Sequence, residues 1–404
     1  MRNHIVIVSE ESVHAGYYKC GIGEVVDYMS RALRKYYDVT VITVGTRAGG
    51  NVGGTITCGV KGEAFLQRAA NHVNMICPDL VHNFASPALI ELLTVNCPKV
   101  LTFDRWEEDI SAYLEYVPKY DHVTTVSKGY ADELLVAHPE AAEWPLHGIL
   151  VAIDSGIYIP EGLFAHNKTK AECRERVFRE LKREDPGKPL FIVTGRLGAV
   201  KGTPELIAAA PGIAAMGAAL LVAGVGDAEL EEQLQTLHDA GTLIYYHGMP
   251  DYCEMCHAIT AADFYLTPSI HEACGLQPMK AARMGTVPMV RPVGGMGENF
   301  DATTAVLITD GIEDAVRRAM AMTPEEYNAM RTADMAGAWT WESRILPWVE
   351  LYGLETAPPS ETSLKTTRTN KSESSTAKAQ TAQTVSKPRV VSPFATIEED
   401  DDNE

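Results

Sequence analysis

The chain repeats one pattern: a short β-branched run, a stretch with apolar residues at helical spacing, then another short run. Ile5 to Val8, Val39 to Val44, Asp79 to His82, Val100 to Phe103 and His122 to Val126 read as buried parallel strands. Parallel neighbours need a crossover, and Glu24 to Tyr36 supplies one, with Val25, Val26, Met29, Leu33 and Tyr36 at helical spacing. Strand, helix and strand in alternation predict a doubly wound α/β sheet. A second series begins after the charged helical segment Ala171 to Glu184 and the turn Asp185-Pro186-Gly187. It comprises Leu190 to Thr194, Ala219 to Ala223, Leu243 to Tyr246, Phe264 to Thr267, Val287 to Arg291 and Ala305 to Ile308. Residues 1–165 are therefore expected to form one Rossmann-like domain and residues 166–340 another. Trp341, Ile345, Trp348 and Tyr352 predict a closing helix over 341–354 that packs back on the first domain. From 355 to 404 Ser, Thr, Lys, Gln and Pro dominate, and so little can be buried that a disordered tail is expected.

The 404 residues carry a formal net charge of -19, which argues against a protein that grips nucleic acid phosphates. Any bound anion must be held by local cations. Glu398, Glu399, Asp400, Asp401, Asp402 and Glu404 give the tail an acidic end. Eight cysteines without a secretory leader predict free thiols in a reducing compartment, with the cytoplasm as the expected location. No stretch is apolar for long enough to span a bilayer as a helix.

Glycine-bearing loops fall at the predicted strand ends. Between the first strand and its helix lies Tyr18-Lys19-Cys20-Gly21-Ile22-Gly23, where Gly21 and Gly23 let a backbone approach a ligand, or simply form a tight turn. After Thr194, the segment Gly195-Arg196-Leu197-Gly198-Ala199-Val200-Lys201-Gly202 places a planar guanidinium and a point-charge ammonium five residues apart, a pairing suited to a diphosphate. After Thr267 come His271, Glu272, Ala273, Cys274, Gly275 and Leu276, and the following strand leads into Gly294-Gly295. A carboxylate at Glu272 can accept hydrogen bonds from hydroxyls, while N–H groups near Gly275 and Leu276 face an anion. His271 adjoins Glu272 and is a candidate for the same site. Cys253-Glu254-Met255-Cys256-His257 reads as a helix opening rather than a haem or zinc site, and the methionines of a helix from Met320 to Met335 read as core filling.

These residues resemble a known family. Glu272 to Pro278, Gly285 to Arg291 and Gly294-Gly295 are similar to the "EPCGL…YGT-P-VR…GGL" signature of glycogen and starch synthases. Cys20 to Val26 resembles that family's "GGLGDVV", Thr124 to Glu133 its "TVS-x-x-YA-x-E", Gly148-Ile149 with Ile153-Asp154 its "GI-x-NGID", and Arg196-Leu197 with Lys201-Gly202 its "RL-x-x-QKG". The resemblance runs from about residue 5 to 352. It implies two Rossmann-like domains facing across a cleft (GT-B). It also implies retaining transfer of glucose from ADP-glucose or UDP-glucose to an α-1,4-glucan, with no metal and no other cofactor. Arg196 and Lys201 would hold the diphosphate and Glu272 the donor sugar. Lys19, Gly21, Gly23, Asp104, His271, Cys274, Gly275, Leu276, Gly294 and Gly295 would line the substrate. Two departures stand out: the lysine before the family's glycine pair falls at Tyr18, with Lys19 displaced by one, and Asp104 stands where the family's "TIHN" has histidine. They keep two other readings in view: a related transferase with another sugar and a lipid, protein, small-molecule or modified nucleic acid acceptor, or a catalytically silent sugar-binding scaffold. The sequence leaves the oligomeric state open.

Overall fold

The structure, a computed structural model, describes residues 2–17, 21–45, 51–52, 54–104, 110–144, 146–149, 151, 169–248 and 252–356. Met1–Thr356 falls in one compact unit. Lys19 and nearly all of the expected tail lie outside the described residues.

Two sheets organise the unit. The first contains β1 (His4–Val8), β2 (Asp38–Thr43), β3 (Asn51–Val52), β4 (Thr55–Thr57), β5 (Leu80–Asn83), β6 (Lys99–Phe103), β7 (His122–Thr125) and β8 (Leu146–Gly148), in the order β3-β4-β2-β1-β5-β6-β7-β8. Every pairing is parallel except that of β3 with β4. The second contains β9 (Leu190–Thr194), β10 (Ala219–Gly224), β11 (Ile244–His247), β12 (Phe264–Thr267), β13 (Val287–Val290) and β14 (Val306–Leu307), all parallel, in the order β11-β10-β9-β12-β13-β14. The strand order reverses between β1 and β5 and again between β9 and β12. Open α/β sheets bind ligands beyond the carboxyl ends of the strands at such reversals.

Both faces of β1 are buried, as a parallel strand covered by helices requires. Ile5 and Ile7 pack on one side with Val25, Val26 and Met29 of the helix Ile22–Leu33. Val6 and Val8 pack on the other with Phe65, Ala69 and Val73 of the helix Gly62–Ile76. The Ile5 cluster continues without interruption into the second lobe through Met279, Met296 and Trp339.

The closing segment differs from the single helix expected. It forms two short helices, Trp341–Arg344 and Leu346–Tyr352. Pro347 lacks an N–H and cannot continue the ladder of the preceding turn. The segment returns to the first sheet: His82 on β5 stacks on Trp348 with ring centroids 5.5 Å apart. The His82 ring nitrogens meet Tyr352 Oη at 2.7 Å and Thr102 Oγ1 at 2.6 Å, and Thr102 meets Thr124. Burial depresses the His82 pKa to about 3, so this chain of hydrogen bonds is built on neutral imidazole.

The run expected as one helix from Met320 to Met335 is likewise two, Ile312–Met320 and Pro324–Met335, with Thr323 and Glu326 forming a capping box at the break. The segment Ala171 to Glu184 forms the shorter helix Lys170–Glu180, capped by Thr169 and Glu172. In the helix Tyr252–Ala261, Cys256 and His257 are buried, and Arg176 Nη1 lies 3.3 Å from His257 Nε2. Among the described residues no cluster of His, Cys, Asp and Glu is arranged to hold a metal. No described helix is long and apolar enough to cross a membrane.

Asp334, at the end of the helix Pro324–Met335, is fully buried, and neither carboxylate oxygen has a hydrogen-bond partner among the described residues. Burial lifts its pKa to about 8. The folded chain therefore keeps this proton at pH values where the unfolded chain, with an ordinary carboxyl, has released it. The resulting stabilisation is complete below about pH 4 and is lost as the pH rises toward 8. Asp334→Asn removes the titration. Its melting temperature relative to wild type is expected to rise between pH 5 and pH 8, by the equivalent of about 3 kcal/mol. A wild-type-minus-variant difference that stays constant over that range in calorimetry contradicts the assignment.

Candidate functional site

The loop after β9 is shaped by close contacts. Gly195 N–H donates to Ala223 O and Leu197 N–H to Val225 O, which tie the loop to β10 and its continuation. Gly202 has φ +71°, and a Cβ there would stand 2.3 Å from Pro268 O, so glycine alone lets this loop press on the one after β12. Ile270 N–H then donates to Val200 O at 2.8 Å. The result joins Lys201 to Glu272, with Nζ 2.7 Å from Oε2, while Ser269 Oγ lies 3.3 Å from the same oxygen. The lysine and glutamate side chains are 33% and 19% exposed, open enough to exchange partners. Arg196 is exposed on the same loop. A guanidinium, an ammonium and a carboxylate thus share the carboxyl edge of the second sheet at its order reversal.

The backbone carrying Glu272 is closely held. Glu272 O accepts from Gly295 N–H, Ala273 O from Ser127 Oγ at 2.6 Å, and Cys274 O from Asn299 Nδ2 at 3.1 Å. Gly275 has φ +85° and caps the helix Leu276–Arg283, and a Cβ on it would lie 2.7 Å from Met296 Cγ. The glycine pair after β13 is needed for backbone packing. A Cβ on Gly294, at φ +48°, would meet Glu272 O at 2.0 Å, and one on Gly295 would meet Cys274 Cα at 2.5 Å. The Gly294 N–H goes to Glu133 Oε1 at 2.6 Å. The N–H groups of Gly294 and Gly295 are therefore both partnered within the chain.

The two lobes meet along their carboxyl edges. A Cβ on Gly21 would stand 2.7 Å from Leu276 Cδ1, so the smallness of Gly21 serves docking against the second lobe. Gly23 lies buried in the first turn of the helix Ile22–Leu33. Lys280, almost fully buried, pairs with Glu24 at 2.5 Å. Gly129 N–H donates to Glu298 of the second lobe. His271 Nδ1 lies 3.7 Å from Glu133 Oε2. Asp104 directly follows β6 at the same edge of the first sheet.

Cys274 differs from expectation. Its thiol is buried, 3.9 Å from Val151 O and next to Asn299, and burial pushes its pKa up to about 12. It is an inert interior thiol rather than a side chain lining the substrate. Sequence reasoning placed Ser127 and Glu133 in a family-like segment without giving either a role, and did not single out Glu298 or Asn299. Thr267 Oγ1 and Gln277 Oε1, on either side of the Glu272 loop, are buried without a hydrogen-bond partner among the described residues.

The architecture is that of the two-lobed GT-B glycosyltransferases. The catalytic domain of starch synthase IV from Arabidopsis thaliana, bound to ADP and acarbose, superposes with a TM-score of 0.69 at 16% identity, covering 87% of this chain and 99% of that one. Sucrose-phosphate synthase from Thermosynechococcus elongatus superposes with a TM-score of 0.66 at 16% identity, covering 87% and 98%. Residues 175–333 match the family model for glycosyl transferases group 1. In sequence the chain is similar to glycogen synthases. It is 30% identical to that of Edwardsiella ictaluri over 57% of this chain and 56% of the relative, and 31% identical to that of Rhodospirillum rubrum over 57% and 54%. The similarity thus spans little more than half the length of these relatives.

Gly294→Ala combines a left-handed backbone with a clash, whereas Gly187→Ala, at φ +64° with open space around it, meets only the backbone strain. Gly187→Ala is expected to lose about 1 kcal/mol and Gly294→Ala at least twice that. Equal losses in thermal denaturation would remove the packing role assigned to Gly294.

Proposed function

We propose that the chain is a retaining hexosyltransferase that moves glucose from ADP-glucose or UDP-glucose to an α-1,4-glucan. The contact between Lys201 and Glu272 at the strand-order reversal, with Arg196 on the same loop, carries this reading. Similarity to glycogen synthases and to a starch synthase holding ADP supports it. In this reading Arg196 and Lys201 bind the diphosphate, and Glu272 orients the donor sugar through its hydroxyls. The acceptor hydroxyl bonds to the anomeric carbon on the face from which the nucleoside diphosphate departs. Negative charge grows on the departing oxygen, where the two side-chain cations give most of the stabilisation without a metal. No second carboxylate is needed nearby, in contrast to glycoside hydrolysis. The reading places the protein in the cytoplasm, where its described cysteines are free thiols.

Asp104 favours a second reading. A carboxylate directly after β6, at the edge facing the site, alters the hydrogen bonds available to the sugar and suits a related transferase with another sugar or acceptor.

Calorimetric titration with ADP-glucose, UDP-glucose and GDP-sugars, paired with transfer of radiolabelled sugar to a glucan primer, separates the two. Binding and transfer with a glucose donor support the first, and transfer only to other acceptors or from other sugars supports the second. Absence of both binding and transfer with every donor rejects both. Glu272→Ala is expected to abolish transfer with folding retained, and wild-type turnover in that variant rejects its role. Arg196→Ala should weaken donor binding and raise the barrier by about 3 kcal/mol, read from kcat/KM.

A further inference from the structure

Glu272 is bracketed by the other lobe. On its amino side His271 Nδ1 lies 3.7 Å from Glu133 Oε2, and on its carboxyl side Ala273 O accepts a 2.6 Å hydrogen bond from Ser127 Oγ. Both partners belong to one element of the first lobe, the helix Lys128–Ala137 with its N-cap Ser127. The other oxygen of Glu133 accepts the Gly294 N–H, fixing the glycine pair whose Gly295 N–H in turn holds Glu272 O. Residues 272 and 273 are therefore held by this helix, the first at one remove and the second directly, with His271 alongside Glu133. Arg196 and Lys201, by contrast, stand on a loop tied by its backbone to β10 and to the β12 loop, both within the second lobe.

We infer that Ser127 and Glu133 are positioning residues for Glu272: the first lobe sets the carboxylate in place, while the loop bearing the cations that receive the diphosphate is tied through its backbone within the second lobe. This rests on the proposed role of Glu272. Nucleotide binding and sugar positioning are then separable. A nucleoside diphosphate binds whether or not the helix grips the 272–273 backbone, but productive orientation of the sugar requires the grip. Displacement of a positioned group by about 1 Å can lower a rate by about 100-fold, so loss of either contact should act on turnover.

The test uses the full chain with Glu133→Ala, Ser127→Ala and the hydroxyl-preserving Ser127→Thr. Calorimetry with ADP and UDP should give affinities within about twofold of wild type, because those contacts are intact. The kcat for transfer should fall about 10- to 100-fold in both alanine variants with little change in donor KM, and Ser127→Thr should restore most of it. Amide exchange of the peptide spanning 270–276 should quicken in the alanine variants alone. Unchanged kcat with unchanged exchange overturns the inference. So does a loss of nucleotide affinity as large as the loss of kcat, since the lesion would then be a general collapse of the lobe. Should the wild-type chain transfer no sugar at all, the functional reading fails, while the exchange experiment still decides whether this helix holds the loop.

Discussion

Two backbone N–H groups, each donated to a carboxylate of the opposite lobe, fix the relation on which the rest of the molecule depends. Gly129, in the first turn of a helix of the first lobe, donates to Glu298. Gly294, opening a short helix of the second, donates to Glu133. The exchange is reciprocal, and helix N-termini favour negative charge at both ends of it. Glycine is indispensable at both positions for a steric reason: a Cβ on Gly129 would lie 2.3 Å from Gly294 O, and one on Gly294 would lie 2.0 Å from Glu272 O. Two backbones in van der Waals contact leave little room for the lobes to settle in another register, so the edges that carry Gly21, Leu276 and Glu272 are set with them.

The ion pair at the centre of the site has a different character. Lys201 and Glu272 remain partly exposed, and such a pair contributes little net stability. Its value lies in placement, since opposite charges that are cheap to separate can turn to an anion and to a hydroxylated ligand respectively. The groups around it are not cheap to move. Tyr265, wholly buried below the site, donates to Thr194 at the end of β9, and Arg344 binds both Val151 O and Asn299 Oδ1 beneath the loop. A compliant charge pair thus sits on a rigid floor.

Much of this arrangement could be read from the chain. The first-sheet strands β1, β2, β5, β6 and β7 and the six of the second lobe stand out because parallel strands covered on both faces are nearly continuous apolar runs. The missing strands, β3, β4 and β8, are two or three residues long at or next to a sheet edge, with too few residues to show a period. The break at Pro347 could have been taken from proline chemistry, but the spacing of Trp341, Ile345, Trp348 and Tyr352 masks it. Among the site residues, the position of Lys201 and Glu272 on loops at strand ends was legible, whereas their direct contact depends on the strand order that puts β9 beside β12. The buried state of Cys274 was not, since a motif gives residue type and order but not the direction of a side chain. The tasks of Glu133 and Ser127 were hidden for another reason: their partners lie 146 to 161 residues away, and only the docking of the lobes brings them together.

The return of the last described residues to the first sheet has a consequence for how the polypeptide is made. His82 and Tyr37 find partners in Trp348, Val349 and Tyr352, and Asn3 reaches Glu355 O across 352 positions of sequence. During synthesis the amino-terminal sheet emerges first, yet part of its apolar covering comes from Trp341–Arg344 and Leu346–Tyr352, made only after the whole second sheet. Until then a band of β5 and of the helix-end residues around Tyr37 is open to water, and closure of so long a loop comes late. The act that completes the interior of the first lobe also joins it to the second.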